Sequence, residues 1–75
     1  MKLPVIAGRE LVKILIKVGF EVDHMTGSHM ILRKVVYPYL RITVPNHPEL
    51  AKGTLNAIIK QAGLTREALF KLLGK

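Results

Sequence analysis

Thr26-Gly27-Ser28-His29-Met30-Ile31-Leu32-Arg33-Lys34 is the stretch on which the fold turns. Gly27 and Ser28 are small turn residues, and they deliver a histidine to the first position of a run that reads as a β-strand. In that strand Met30 and Leu32 share one face, while His29, Ile31 and Arg33 share the other. Both faces carry apolar residues, so the strand is expected to be central and partly covered on each side. Histidine has the side chain whose unperturbed pKa lies nearest neutrality, so it can take and return a proton at cellular pH. Arg33 and Lys34 follow at the strand's far end, where cations can hold an anion. A turn-borne histidine followed by two cations is the layout of a phosphodiester-directed site.

The flanking sequence supplies the partners of this strand. Upstream, Phe20 to Met25 reads as a strand with Phe20 and Val22 inward and Glu21 and Asp23 outward. Before it, Gly8 to Val18 reads as a helix, with Leu11, Ile14, Leu15 and Val18 as its apolar stripe and Gly19 as its stop. Gly8 is the expected N-cap, with Glu10 in the first turn. Arg9, Lys13 and Lys17 form one basic row on the other side. Val12 and Ile16 lie between row and stripe; they either pack against the sheet edge or the C-terminal helix, or form a partner surface. Downstream, the strand is expected to run to about Val36, and Tyr37-Pro38-Tyr39 to reverse the chain, because Pro38 has no amide to donate. The two tyrosines either cover the sheet edge or are presented to bases or a partner.

A third strand, Leu40 to Val44, puts Ile42 and Val44 on one face and Arg41 and Thr43 on the other. Prolines make 45–50 a loop. A helix from about Ala51 or Gly53 to Ala62 buries Leu55, Ile58, Ile59 and Ala62, and Gly63 ends it. Thr65 caps a last helix to about Leu73, with Leu64 and Leu69 placed as a hydrophobic staple. The order is α-β-β-β-α plus a short C-terminal helix. This gives a two-layer α+β fold: a three-stranded antiparallel sheet with helices on one face.

Seventy-five residues make one domain, spanning 1–75, with no room for a second core. A chain this size buries only roughly 60% of its unfolded surface, so its stability is modest without a partner. Cysteine is absent, which removes disulfides, thiolate metal sites and cysteine nucleophiles together. The apolar run at the N-terminus is too short for a signal peptide, and none approaches a membrane span, so a soluble, cytoplasmic protein is expected. Twelve Lys and Arg against five Asp and Glu leave a net charge of +7, which favours a polyanionic partner, either nucleic acid or an acidic protein. Two Tyr, two Phe and no Trp offer little for an aromatic base-stacking platform.

His29 is the strongest catalytic candidate. Cleaving RNA without a metal needs a base for the 2′-hydroxyl proton or an acid for the leaving oxygen, and cations for the phosphorane charge. Gly27 and Ser28 at the turn, Arg33, Lys34, and the row Arg9, Lys13 and Lys17 are the candidate RNA contacts. His47, between Asn46 and Pro48, is a possible accessory titrating group if its loop folds toward His29. His24, His29 and His47 lack the spacing of a zinc site, and five acidic residues are too few for two-metal nuclease chemistry, so neither a metal nor another cofactor is expected. A histidine at a turn is also an ordinary surface residue. A non-catalytic RNA-binding module, and a domain whose basic surface meets an acidic protein, are therefore the competing classes.

Four pieces of the sequence together resemble the HicA family, small mRNA interferase toxins of bacterial and archaeal toxin–antitoxin pairs. They are Gly19-Phe20 after an amphipathic helix, Gly27-Ser28-His29, Val44-Pro45-Asn46-His47 running into Gly53-Thr54-Leu55, and Ile58-Ile59-Lys60-Gln61-Ala62-Gly63-Leu64-Thr65. The resemblance runs from about Gly8 to Leu73. It implies a fold similar to double-stranded-RNA-binding domains and a metal-independent endoribonuclease acting on mRNA, with His29 as the catalytic residue. It also implies a HicB-type antitoxin covering that site, and leaves a homodimer and a toxin–antitoxin hetero-oligomer both open. Many members carry a second histidine directly after the first; here Met30 stands in that place.

Overall fold

The computed structural model describes residues 3–74. They form α1 (Gly8–Lys17), β1 (Phe20–Met25), β2 (His29–Lys34), β3 (Arg41–Pro45), α2 (Lys52–Gln61) and α3 (Arg66–Leu72). The three strands make one antiparallel sheet in the order β1-β2-β3, so β2 is central. Phe20, Met30, Leu32, Ile42 and Val44 line one sheet face and pack against Leu11, Ile14 and Leu15 of α1, Leu55, Ile58 and Ile59 of α2, and Leu69 of α3. The result is the two-layer α+β arrangement of a double-stranded-RNA-binding-domain-like fold, with order α-β-β-β-α and a short helix after it. Gly19 and Gly63 follow their helices with φ of 105° and 75°, a region costly for residues with a Cβ, so both stops are read correctly from the sequence. Thr65 caps α3 through its hydroxyl, which accepts from the Ala68 amide at 3.0 Å.

Several expectations are corrected. Among the described residues no element covers the second face of β2: His29, Arg33, Arg41 and Thr43 are exposed there, and Ile31 is half-buried. An isoleucine on that face does not need a second layer, because long polar neighbours shield it. Val22 points to the helix side yet stays 39% exposed. It lies on an edge strand, and the pairing shifts between Val22 and His24, which gives β1 an extra residue at Asp23 and bends it away. β2 ends at Lys34 rather than Val36, because the Lys34 amide bonds the Leu40 carbonyl at 2.8 Å and closes the ladder there. Val35 and Val36 thus join a protruding tip with Tyr37, Pro38 and Tyr39, in which the Tyr37–Pro38 peptide is cis. The tyrosines do not cover the sheet edge. Val12 is buried but Ile16 is 49% exposed, so only the first packs inward.

Gly8 is the first residue of α1, and Ala7 is its N-cap, with the Ala7 amide bonding Glu10 Oε1 at 3.1 Å. Gly8 is buried where the helix crosses the end of β3. A Cβ there would collide with the Pro45 carbonyl oxygen. The Gly8 amide donates to the His47 carbonyl, and the Leu50 amide to the Ile6 carbonyl, each at 2.9 Å. These bonds tie the start of α1 to the segment after β3, and they bring both to the end of the sheet where His29 lies.

Candidate functional site

The turn between β1 and β2 is built around Thr26. Its amide donates to the His29 carbonyl at 2.8 Å, and its hydroxyl accepts from the His29 amide at 2.9 Å and from the Ser28 amide at 3.3 Å. A threonine side chain thus holds the turn from inside, the role short hydroxyl residues take in turns. His29 opens β2 opposite Pro45, with its side chain exposed. Ser28 Oγ sits 2.9 Å from His29 Nδ1. One ring nitrogen is therefore engaged and Nε2 is left for a ligand; the tautomer in which Nδ1–H donates to Ser28 makes Nε2 a proton acceptor. Gly27 has no neighbour within 4 Å of where a Cβ would stand, so its backbone is bare beside this histidine.

The segment after β3 packs against the same turn. The Asn46 amide donates to the Ser28 carbonyl at 2.9 Å, and Asn46 Oδ1 accepts from Arg9 Nε at 3.4 Å. Arg9, 37 residues away from Asn46 in sequence, is thereby held at the His29 end with its terminal nitrogens available. Those form the part of a guanidinium fork that grips a phosphate. His47 lies in this same segment, but its ring is exposed and makes no hydrogen bond among the described residues. Thr26 and Asn46 are the two residues that the sequence reading assigned no role. The signal for Thr26 was a hydroxyl residue placed at the mouth of a Gly-Ser turn. Asn46 stood only within the Val44-Pro45-Asn46-His47 piece of the resemblance, and its contacts to Arg9 and Ser28 are long-range.

Other predicted contacts lie further off. Arg33 is four residues along β2, about 13 Å from His29 at strand rise. It points to the open sheet face, 3.6 Å from Glu21 and 3.9 Å from Asp23. Arg41 bonds Asp23 at 3.2 Å, and Asp23 also contacts the His24 ring at 3.2 Å. Lys34 points the other way, with Nζ 5.8 Å from the centre of the Phe20 ring. The structure therefore does not bring Arg33 or Lys34 beside His29. Lys13 and Lys17 are exposed along α1 beyond Arg9, and among the described residues neither has an ion-pair partner. The open sheet face is charge-compensated by Glu21 and Asp23, whereas α1 presents Lys13 and Lys17 with no ion pair formed among the described residues. Among the described residues no three His, Cys, Asp or Glu side chains cluster in a metal-binding group, and no helix is long and apolar enough to cross a membrane.

Residues 8–64 match the family model described as the HicA toxin of bacterial toxin–antitoxin. The chain belongs to the HicA toxin family. That makes it a toxin of a toxin–antitoxin system, with an antitoxin as its partner. No curated protein matches the chain at a significant level. The matched span takes in α1, the Ser28-His29 turn, Asn46 and α2. Within this HicA chain, Met30 is 2% exposed and points into the core under Gly8. Strand alternation sends residue 29 outward and residue 30 inward, so Met30 withdraws nothing from the surface around His29.

Proposed function

We propose that this HicA-family toxin is a metal-independent endoribonuclease that cleaves mRNA in the cytoplasm, with His29 as its general acid–base. The observation that carries the reading is the 2.9 Å contact between Ser28 Oγ and His29 Nδ1 on an exposed turn, which orients the ring and leaves Nε2 outward. Nε2 takes the proton of a 2′-hydroxyl, and the 2′-oxygen forms its bond to phosphorus as the bond from phosphorus to the 5′-oxygen breaks. That oxygen receives a proton from the imidazolium, or from His47 acting as an accessory acid. The products are a 2′,3′-cyclic phosphate and a 5′-hydroxyl. Arg9, steadied by Asn46, offsets the phosphorane charge, and the bare backbone at Gly27, beside Ser28, lets the RNA chain come close. Lys13 and Lys17 hold phosphates further along α1, while Arg33 and Lys34, at the far end of β2, keep their partners within the chain.

One histidine supplies roughly 10² to 10⁴ in rate, which describes a slow, sufficient toxin rather than a fast digestive enzyme. A HicB-type antitoxin covers the His29 end and silences it. The test is the chemistry of the new ends. Cleavage should leave cyclic phosphate and 5′-hydroxyl termini and should stop at a 2′-deoxynucleotide. Cleavage that continues past a 2′-deoxy residue rules out the 2′-oxygen as nucleophile and removes this mechanism.

A further inference from the structure

The basic row and the turn leave one conspicuous feature unused: the tip between β2 and β3. Val35, Val36, Tyr37 and Tyr39 are 47%, 57%, 82% and 73% exposed. They supply half of the large exposed hydrophobic residues among those described, within five consecutive positions. Apolar surface gathered this way on a small soluble protein marks a contact rather than chance exposure. We propose that this tip is a docking knob for an acidic protein with an apolar pocket, namely the antitoxin that pairs with this toxin. The proposal rests on the toxin–antitoxin reading, but not on His29 being catalytic.

Three observations favour protein over RNA here. The tyrosine rings meet edge to face, with centroids 6.1 Å apart and planes at 84°, so they offer no pair of parallel faces to successive bases. The cations nearest the tip are already occupied, Arg33 by Glu21 and Asp23, Arg41 by Asp23, and Lys34 over Phe20. A phosphate backbone at the tip would have to displace carboxylates that a protein partner can leave in place. Tyrosine is also among the residue types enriched at protein interfaces and their hot spots, because a large ring is fixed at low entropic cost. The acidic character follows from the chain's net charge of +7, which steers an oppositely charged partner and repels a second copy of itself.

The tip stands at the far end of β2 from His29, about 17 Å away at strand rise. The whole molecule measures 30 × 27 × 20 Å. An ordinary interface takes about 800 Å² from each partner. Against a total surface of 4824 Å², one antitoxin can therefore hold the knob and also reach His29. Holding and blocking then depend on different residues of the toxin.

The test uses full-length Tyr37→Ser/Tyr39→Ser and, separately, Val36→Lys, each beside wild type. The probe is the purified product of the reading frame adjoining this chain's gene. Because these side chains are exposed, melting temperature and RNA cleavage by the variants alone should match wild type. Affinity for the probe should fall about a hundredfold in the double variant, and more RNA should be cut in its presence. Unchanged affinity in both variants overturns the proposal. RNA binding that falls while probe affinity holds assigns the tip to RNA instead, and a wild-type dimer lost in the variants assigns it to self-association. A wild type that cleaves RNA but does not bind the probe removes the docking knob and keeps the nuclease. A wild type that binds the probe through the tip without cleaving RNA does the reverse.

Discussion

Gly8 and Gly27 look alike in the sequence but should respond oppositely to the same added methyl group. At Gly8 the new Cβ would overlap the Pro45 carbonyl oxygen and lie 3.2 Å from the Pro45 carbonyl carbon and 3.3 Å from Met30 Cε. The first two atoms are backbone, so no rotamer change relieves them. α1 must lift from β3, at an overpacking cost of about 1 to 3 kcal/mol. Lifting also stretches the 2.9 Å bond from the Gly8 amide to the His47 carbonyl. A weakened bond of that kind adds about 1 kcal/mol. Alanine returns at most about 1 kcal/mol through helix propensity. The expected net loss for Gly8→Ala is about 1 to 3 kcal/mol, a large share of the roughly 4 to 11 kcal/mol typical of a chain this long.

At Gly27 nothing stands within 4 Å of the added methyl group, and the backbone there is not in the left-handed region. Gly27→Ala should therefore unfold within about 0.5 kcal/mol of wild type. If RNA passes close to this turn, the same methyl group should weaken RNA binding or cleavage. Urea titration followed by circular dichroism reads both stabilities, and an RNA cleavage assay reads the second effect. A Gly8→Ala protein with the wild-type midpoint would refute the close crossing of α1 over β3. A fully active Gly27→Ala protein would refute a substrate path over the turn.

Asn46→Ala should leave the melting temperature within a few degrees but lower kcat about tenfold or more with KM little changed, since Arg9 loses its support at the transition state; steady-state cleavage of a short RNA reads this. Lys13→Glu/Lys17→Glu should weaken RNA binding and flatten the fall of log K with log salt, because each removed phosphate contact takes about one unit from the slope; an unchanged slope moves the interface off α1. Thr65→Ala removes the hydroxyl that accepts from the Ala68 amide at 3.0 Å. It should cost about 1 kcal/mol in urea unfolding without altering cleavage at low denaturant.

The fold was largely legible because its signals are local. Helical spacing of Leu11, Ile14 and Leu15, alternation through Ile42 and Val44, and the stops at Gly19 and Gly63 each depend on neighbours in sequence. The misreadings share a different cause. Val35 and Val36 have strand-forming side chains, but what ended β2 was the distant carbonyl of Leu40. Val22 alternates correctly, yet the extra residue at Asp23 in an edge strand decides how much of it is covered. Ile31 suggested a second layer that its polar neighbours make unnecessary. In the site, Gly27, Ser28 and His29 are consecutive and could be read together. Arg33 and Lys34 were read at the far end of the strand as cations for the anion held by His29, but each has a partner there and strand rise keeps them about 13 Å or more from the His29 end. Arg9 reaches that end instead through Asn46, a contact no local pattern encodes.

The most direct measurement is cleavage of a mixed-sequence RNA by the purified protein in excess EDTA, wild type beside His29→Ala. His29 is exposed, so the variant should fold and bind RNA as wild type does while its cleavage rate falls by about 10² to 10⁴. Equal cleavage by the two proteins would contradict the role given to His29, and cleavage abolished by EDTA in the wild type would contradict a metal-independent mechanism.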